Sequence, residues 1–127
     1  MSSTIKVGQI GTEVQKILST FEHSVETSVD EAADIVATEA VKKLKAASPK
    51  GYRGKYKKGW KKDKKNGGTL VHNTEYQLTH LLENGHDIVI NGEVRGHAAP
   101  VPHIAPVEEY VQDEFPKEIE RQVTKNI

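Results

Sequence analysis

The feature that most limits the fold is an uninterrupted helical stripe near the start of the chain. Apolar residues fall at Ile10, Val14, Ile17, Leu18, Phe21, Val25, Val29, Ala32, Ala33, Val36, Ala40, Val41 and Leu44. Steps of three and four dominate, which is the period of one helical face. No Gly or Pro interrupts residues 12–48; Thr12 can cap the start, and Pro49 forbids helix much beyond Ser48. The spacing predicts one long helix over 12–48, roughly 50 Å from end to end at about 1.5 Å per residue. That is longer than a compact domain of this size is wide, so one end is expected to lean on something outside its own subunit.

The chain has 127 residues, 35% apolar and 28% charged, which predicts one domain over 1–127 with little core to spare. The formal charge is zero, yet the charges are segregated. Residues 13–39 carry seven acids against Lys16, residues 42–65 twelve cations against Asp63, and residues 108–120 six acids against Lys117. Separate acidic and basic blocks suit pairing with copies of the same chain or with complementary neighbours. There is no cysteine, which excludes disulfides, thiolate metal sites and a cysteine nucleophile. No apolar run approaches the roughly 20 residues of a membrane span. The start, MSSTIKVGQIG, lacks the cationic and apolar parts of a signal peptide, so a soluble chain made inside the cell is expected.

After the long helix, Gly51, Gly54 and Gly59 argue against helix. Tyr52, Tyr56 and Trp60 share one parity, so an extended strand would place them on one face and most of the lysines on the other. With Asn66-Gly67-Gly68 as turn, residues 52–74 are expected to form a basic hairpin. Residues 75–84, with Tyr76, Leu78, Leu81 and Leu82 at near-helical spacing, predict a short helix stopped by Gly85. Residues 86–106 read as a second hairpin around Asn91-Gly92 and an extended loop containing Pro100, Pro102 and Pro106. Val107, Val111, Phe115, Ile119 and Val123 step by four and predict a closing helix over 107–125, with Pro106 near its first turn. Pro116 inside it should kink or split it. The expected class is α+β: antiparallel hairpins forming a small sheet, a short central helix and a C-terminal helix packed on the sheet.

Residues for catalysis are scattered. His72, His80, His86, His97 and His103 are spread over strand, helix and loops without zinc-site spacing. Glu108 and Glu109 diverge by about 100° on a helix, a poor acid–base pair. No G-x-S-x-G or phosphate-binding loop is present. Neither an active site nor a metal or cofactor site is expected, and so no enzyme. The remaining candidate is YRGKYKKGWKKDKK, residues 52–65, in which eight of fourteen positions are cationic. Lys55, Lys57, Lys58, Lys61, Lys62, Lys64 and Lys65 could track a phosphate backbone while the aromatics stack on bases. Shared parity favours the other reading, inward-facing aromatics with lysines directed at DNA or at an acidic neighbour.

Several short motifs, in order, carry a family likeness: ASPKGYRGKYKKGW after the long helix, YQLTHLLENGH, and PVPHIAPVEEY opening the last helix. Together they resemble the small neck, or tail-completion, proteins of long-tailed double-stranded DNA bacteriophages, over nearly the whole chain. The matching positions are Pro49 and Gly54, then Tyr76, Leu82, Glu83 and Gly85, then Pro100, Pro102 and Pro106. Arg53-Gly54 stands where Thr-Gly is usual, and the hairpin is richer in lysine than the pattern requires. The resemblance implies a homo-oligomeric ring in the virion neck, between capsid portal and tail, made in the bacterial host cytoplasm. Its neighbours would be head–tail adaptor or stopper proteins and tail terminator or tube proteins, with double-stranded DNA crossing the channel unread and no membrane involved. Six subunits would suit a hexameric tail tube and are the expected number; twelve would suit a twelve-fold adaptor. A stand-alone, non-specific nucleic-acid-binding protein is the alternative.

Overall fold

The computed structural model describes residues 10–65 and 67–126, the Tyr52 side chain excepted. The reading of the N-terminus, the part of Asn66 in the hairpin turn and the place of the Tyr52 ring therefore lie outside the described residues. Helix α1 runs Ile10–Ala47 without a break, as its stripe predicts, but it is already helical at Ile10, so Thr12 lies inside it and does not cap its start. Ser48 closes it, since both its N–H, at 2.9 Å, and its hydroxyl donate to the Leu44 carbonyl, and Pro49 bars another turn.

The architecture is α+β. Strands β1 (Trp60–Lys65) and β2 (Gly68–Asn73) pair antiparallel with Trp60 opposite Asn73 and Lys65 opposite Gly68. A 3-10 turn at Tyr76–Leu78 leads into the short central helix α3 (Thr79–Asn84). Strands β3 (His86–Ile90) and β4 (Glu93–Ala98) form a second antiparallel pair, so each hairpin is its own two-stranded sheet. Asn91 and Gly92 both have positive φ, 52° and 78°, which a tight two-residue hairpin turn demands.

The closing helix α4 (Ile104–Asn126) lies antiparallel along α1 and against the inner face of β1–β2. Its Val107 packs beside Ala40 and Leu44, while its far end bonds to Ser24 and Ser28 through Asn126. The core is Ala40, Leu44, Tyr56, Trp60 and Val107, flanked by Val41, Val71, Leu78, Leu82, Ile104 and Val111. Each large side chain sealed there contributes about 1.5–3 kcal/mol by leaving water.

Three expectations need correction. Residues 52–59 are not strand: a 3-10 turn at Tyr52–Gly54 leads into a single helical turn, α2 (Lys55–Lys58), and β1 begins only at Trp60. The chain reverses through positive φ at Gly51, Arg53 and Gly54, 68°, 54° and 72°. At Gly51 a Cβ would also come within 2.8 Å of the Tyr56 Cβ. Tyr56 and Trp60 do face inward, but the four-residue step that matched strand parity also matches one helical face.

The last helix begins at Ile104 rather than 107, and Pro116 does not split it. Pro116 sits on an exposed face, and Val107, Gln122 and Asn126 hold both ends of the helix down. The apolar stripe of α4 is also partial. Steps of four drift about 40° each around a helix of 3.6 residues per turn. Val107 is therefore buried, Val111 to Val123 are half-buried, and Glu118 and Gln122 rotate inward instead. Gln122 and Arg121 bond the Glu118 carboxylate, which keeps it charged and below the usual carboxylate range.

Candidate functional site

All three motif segments converge on one buried polar knot where α1 ends and α4 begins. Glu83, at the end of α3, receives the backbone N–H groups of His103 and Ile104 at 2.8 Å and of Ala105 at 3.0 Å. A carboxylate from one helix thus caps the N-terminus of another, where the open N–H groups and the helix dipole favour negative charge. Burial pushes the Glu83 carboxyl up, but the three N–H donors and His103 outweigh it and hold it below its ordinary value.

His103 is fully buried. Its Nδ1 faces two acceptors, the Val101 carbonyl at 2.7 Å and Glu83 at 3.0 Å, so Nδ1 carries the proton. Nε2 is left to accept from the Tyr56 hydroxyl at 2.6 Å. Burial, helped by the Glu83 charge, pushes the Tyr56 phenol up to about 12, which keeps it a donor. Tyr56, Trp60 and His103 stack edge to face with centroids 5.4–6.2 Å apart. Trp60 Nε1 in turn donates to Ser48 Oγ at 2.7 Å, tying the end of α1 into the knot.

The surrounding motif positions serve this knot. Leu82 packs on the core, and its carbonyl accepts the Val101 N–H at 2.8 Å. Gly85 has φ of 77°, and a Cβ there would sit 2.6 Å from the Ala98 carbonyl and 3.1 Å from the Pro100 nitrogen. Pro49 follows the Ser48 plug and Gly54 the left-handed turn; Pro100, Pro102 and Pro106 line the outer side of the loop and helix start. Tyr76 points into solvent. A carboxylate, an imidazole and a phenol in line could relay protons, but Tyr56 and His103 are closed to any substrate. Among the described residues no buried side-chain polar atom lacks a partner. The arrangement is a structural lock.

The lysines do not form one outward array. Lys62 shares the inward parity of Trp60 and donates to Asp34 and Thr38 of α1, both at 2.6 Å. That bond, with the charges of Lys62 and Lys64, holds the Asp34 carboxyl below its ordinary value. Lys64 and Lys65 line a cleft with Asp30 at the hairpin tip. Part of the basic block is thus spent on the acidic helix of its own chain. Lys55, Lys58 and Lys61 are exposed and Lys57 half-buried. The turn brings Lys50 and Arg53 beside Lys57 and Lys58 around a concavity floored by Gly51 and Gly54. Sequence reasoning did not group those four; the only hint was the glycine spacing that reverses the chain. It also missed His103, Ser48 and Asn73, whose amide bonds the Tyr56 carbonyl and the Glu75 N–H, both at 2.8 Å.

Among the described residues, two stretches each expose a run of large apolar side chains. The first turns of α1 leave Ile10, Val14, Ile17, Leu18 and Phe21 exposed, and β3–β4 leaves Ile88, Val89, Ile90 and Val94 exposed. Among the described residues no group of three or more His, Asp and Glu could hold a metal ion. No described helix is long and apolar enough to cross a membrane. In comparisons with protein-family models, curated proteins and solved structures, nothing matches this chain.

Proposed function

We propose that the protein is a structural, non-enzymatic virion subunit that forms a ring at the head–tail interface of a long-tailed phage. The ring completes the tail top or joins it to the head around the DNA channel. The observation that carries this reading is the bare end of α1, an apolar helix face extending past the end of its own domain and requiring a neighbour. Segregated charge and the ordered motifs support it. The exposed lysines Lys55, Lys58, Lys61, Lys64 and Lys65 would hold DNA through phosphate charge alone. The test is a reconstruction of the virion neck with and without the chain. The expected result is a ring containing the α1 rod between portal and tail, with filled heads and finished tails accumulating separately in its absence. Normal joining without the chain overturns the reading.

The concavity of Lys50, Arg53, Lys57 and Lys58 favours a second reading, a stand-alone binder of nucleic acid. It predicts a monomer that shifts DNA in a gel with affinity falling steeply as salt rises. A multimer without a shift rejects it.

A further inference from the structure

We propose that the bare N-terminal face of α1 in one copy packs on the β3–β4 hairpin of a second copy. This rests on the self-association in the ring reading and names the contact that would produce it. Ile17 is 66% exposed and Phe21 56%, with Ile10, Val14 and Leu18 near half. On the hairpin, Val94 is 64% and Val89 59% exposed, beside Ile88 and Ile90. The α1 patch brings roughly 500 Å² of largely apolar surface and each face of the hairpin roughly 200 Å², the apolar centre of an interface whose sides bury ~800 Å² each.

Each patch lacks the layer that the other offers. A lone two-stranded hairpin is marginal in water and gains stability by packing on a helix. Alternation puts Ile88 and Ile90 on one face of β3 and Val89, opposite Val94, on the other, so neither face is polar throughout. A helix end projecting past its own domain is likewise stabilised by covering its apolar face.

One copy cannot join its own two patches. The hairpin leaves at Gly85 and returns at Ala98, beside α3 and the start of α4, where Leu82 and Ile104 pack around Leu44. From Leu44 back to Phe21 is about 35 Å along α1, at about 1.5 Å per residue. The five-residue β3 spans only about 17 Å. The patches therefore lie toward opposite ends of the molecule, and joining them between copies gives a head-to-tail contact, the kind that closes into rings or extends into filaments. Neighbouring charges are paired locally, Glu13 with Lys16 at 3.8 Å and Glu93 with Arg95 at 3.0 Å, so the contact is apolar and should persist in high salt.

The native chain has no cysteine, so introduced thiols are unique. Ile17→Cys and Val94→Cys chains carrying tags of different size are mixed and treated with a short bis-maleimide, alongside sedimentation of the untreated full-length protein at low and high salt. The expected product is a mixed Ile17→Cys/Val94→Cys dimer, at least tenfold enriched over either like-with-like dimer, from a multimer that survives high salt. Multimers that give no mixed product, that give mainly Ile17→Cys pairs, or that fall apart in high salt overturn this contact and leave the ring reading standing. A protein that sediments as a monomer at every concentration overturns both.

Discussion

The two halves of α1 have the same period and opposite contents. The covered half buries Ser28, Ala32, Val36, Ala37, Ala40 and Leu44, mostly small residues, against α4 and the basic hairpin. The uncovered half shows solvent Ile10, Val14, Ile17, Leu18 and Phe21. In a self-sufficient monomer the larger apolar side chains would be inside. Among the described residues, α4 covers α1 as far as Ser24 and Ser28, where Asn126 bonds to both. Small residues on α1 let α4 approach closely, while the larger ones nearer the start of α1 stay exposed. One stripe therefore folds the subunit along one half and, in the ring proposed above, would offer an attachment along the other.

The contrast is tested hardest in the covered half. Leu44→Ala should destabilise the monomer by about 3 kcal/mol, combining lost burial with the cavity left among Tyr56, Trp60 and Val107. A denaturant titration losing less than about 1 kcal/mol would mean that this half is not the core.

Next comes the knot that locks α4 in place. Glu83→Gln keeps the shape but removes the charge received by three backbone N–H groups, and should cost about 2 kcal/mol at neutral pH. Its sign with pH is fixed. The folded carboxyl titrates below its ordinary value of 4.5, so the stabilisation is complete above that value and fades as pH falls through the lower, folded one. Melts between neutral and acid pH should show a steeper acid loss in the parent than in the variant. Equal slopes would mean that the carboxylate does not support the helix start.

What was legible in the sequence follows from the range of each interaction. The long helix shows because its stripe repeats every turn, and the Asn91-Gly92 hairpin shows because its turn demands particular residues. The strand expected over 52–59 failed because a four-residue spacing of aromatics fits either helix or strand, and the reversal at Gly51, Arg53 and Gly54 decided between them. The knot was illegible as chemistry, because Glu83 and His103 are 20 residues apart and meet only after α3 and α4 have docked. His103 looked like any scattered histidine, and Ser48 like a helix end. The motif order marked Glu83 and Gly85 as special without giving the reason, which is the cap and the close backbone approach.

A smaller effect belongs to Lys62, which binds the basic hairpin to the covered half of α1. Its pair with Asp34 is short but more than a third open to solvent, where screening and side-chain entropy consume most of the gain. Lys62→Gln should lower stability by at most about 0.5 kcal/mol, with the difference vanishing in high salt. A loss well above about 1 kcal/mol would mean that the acidic and basic blocks hold the fold together rather than trimming it.

The smallest effect on the subunit should come from the uncovered half, where the largest apolar side chains lie. Ile17→Ala removes as many side-chain atoms as Leu44→Ala does in the covered half, yet its side chain touches little of its own chain. Alanine also forms helix better than isoleucine, so α1 loses nothing locally. Melted at a dilution where the protein is monomeric, the variant should match the parent within about 0.5 kcal/mol. Melted at rising concentration, the parent should gain stability by mass action while the variant gains less. A monomer weakened by well over about 1 kcal/mol would show that the chain already covers this face itself, and the contrast between the two halves of α1 would collapse.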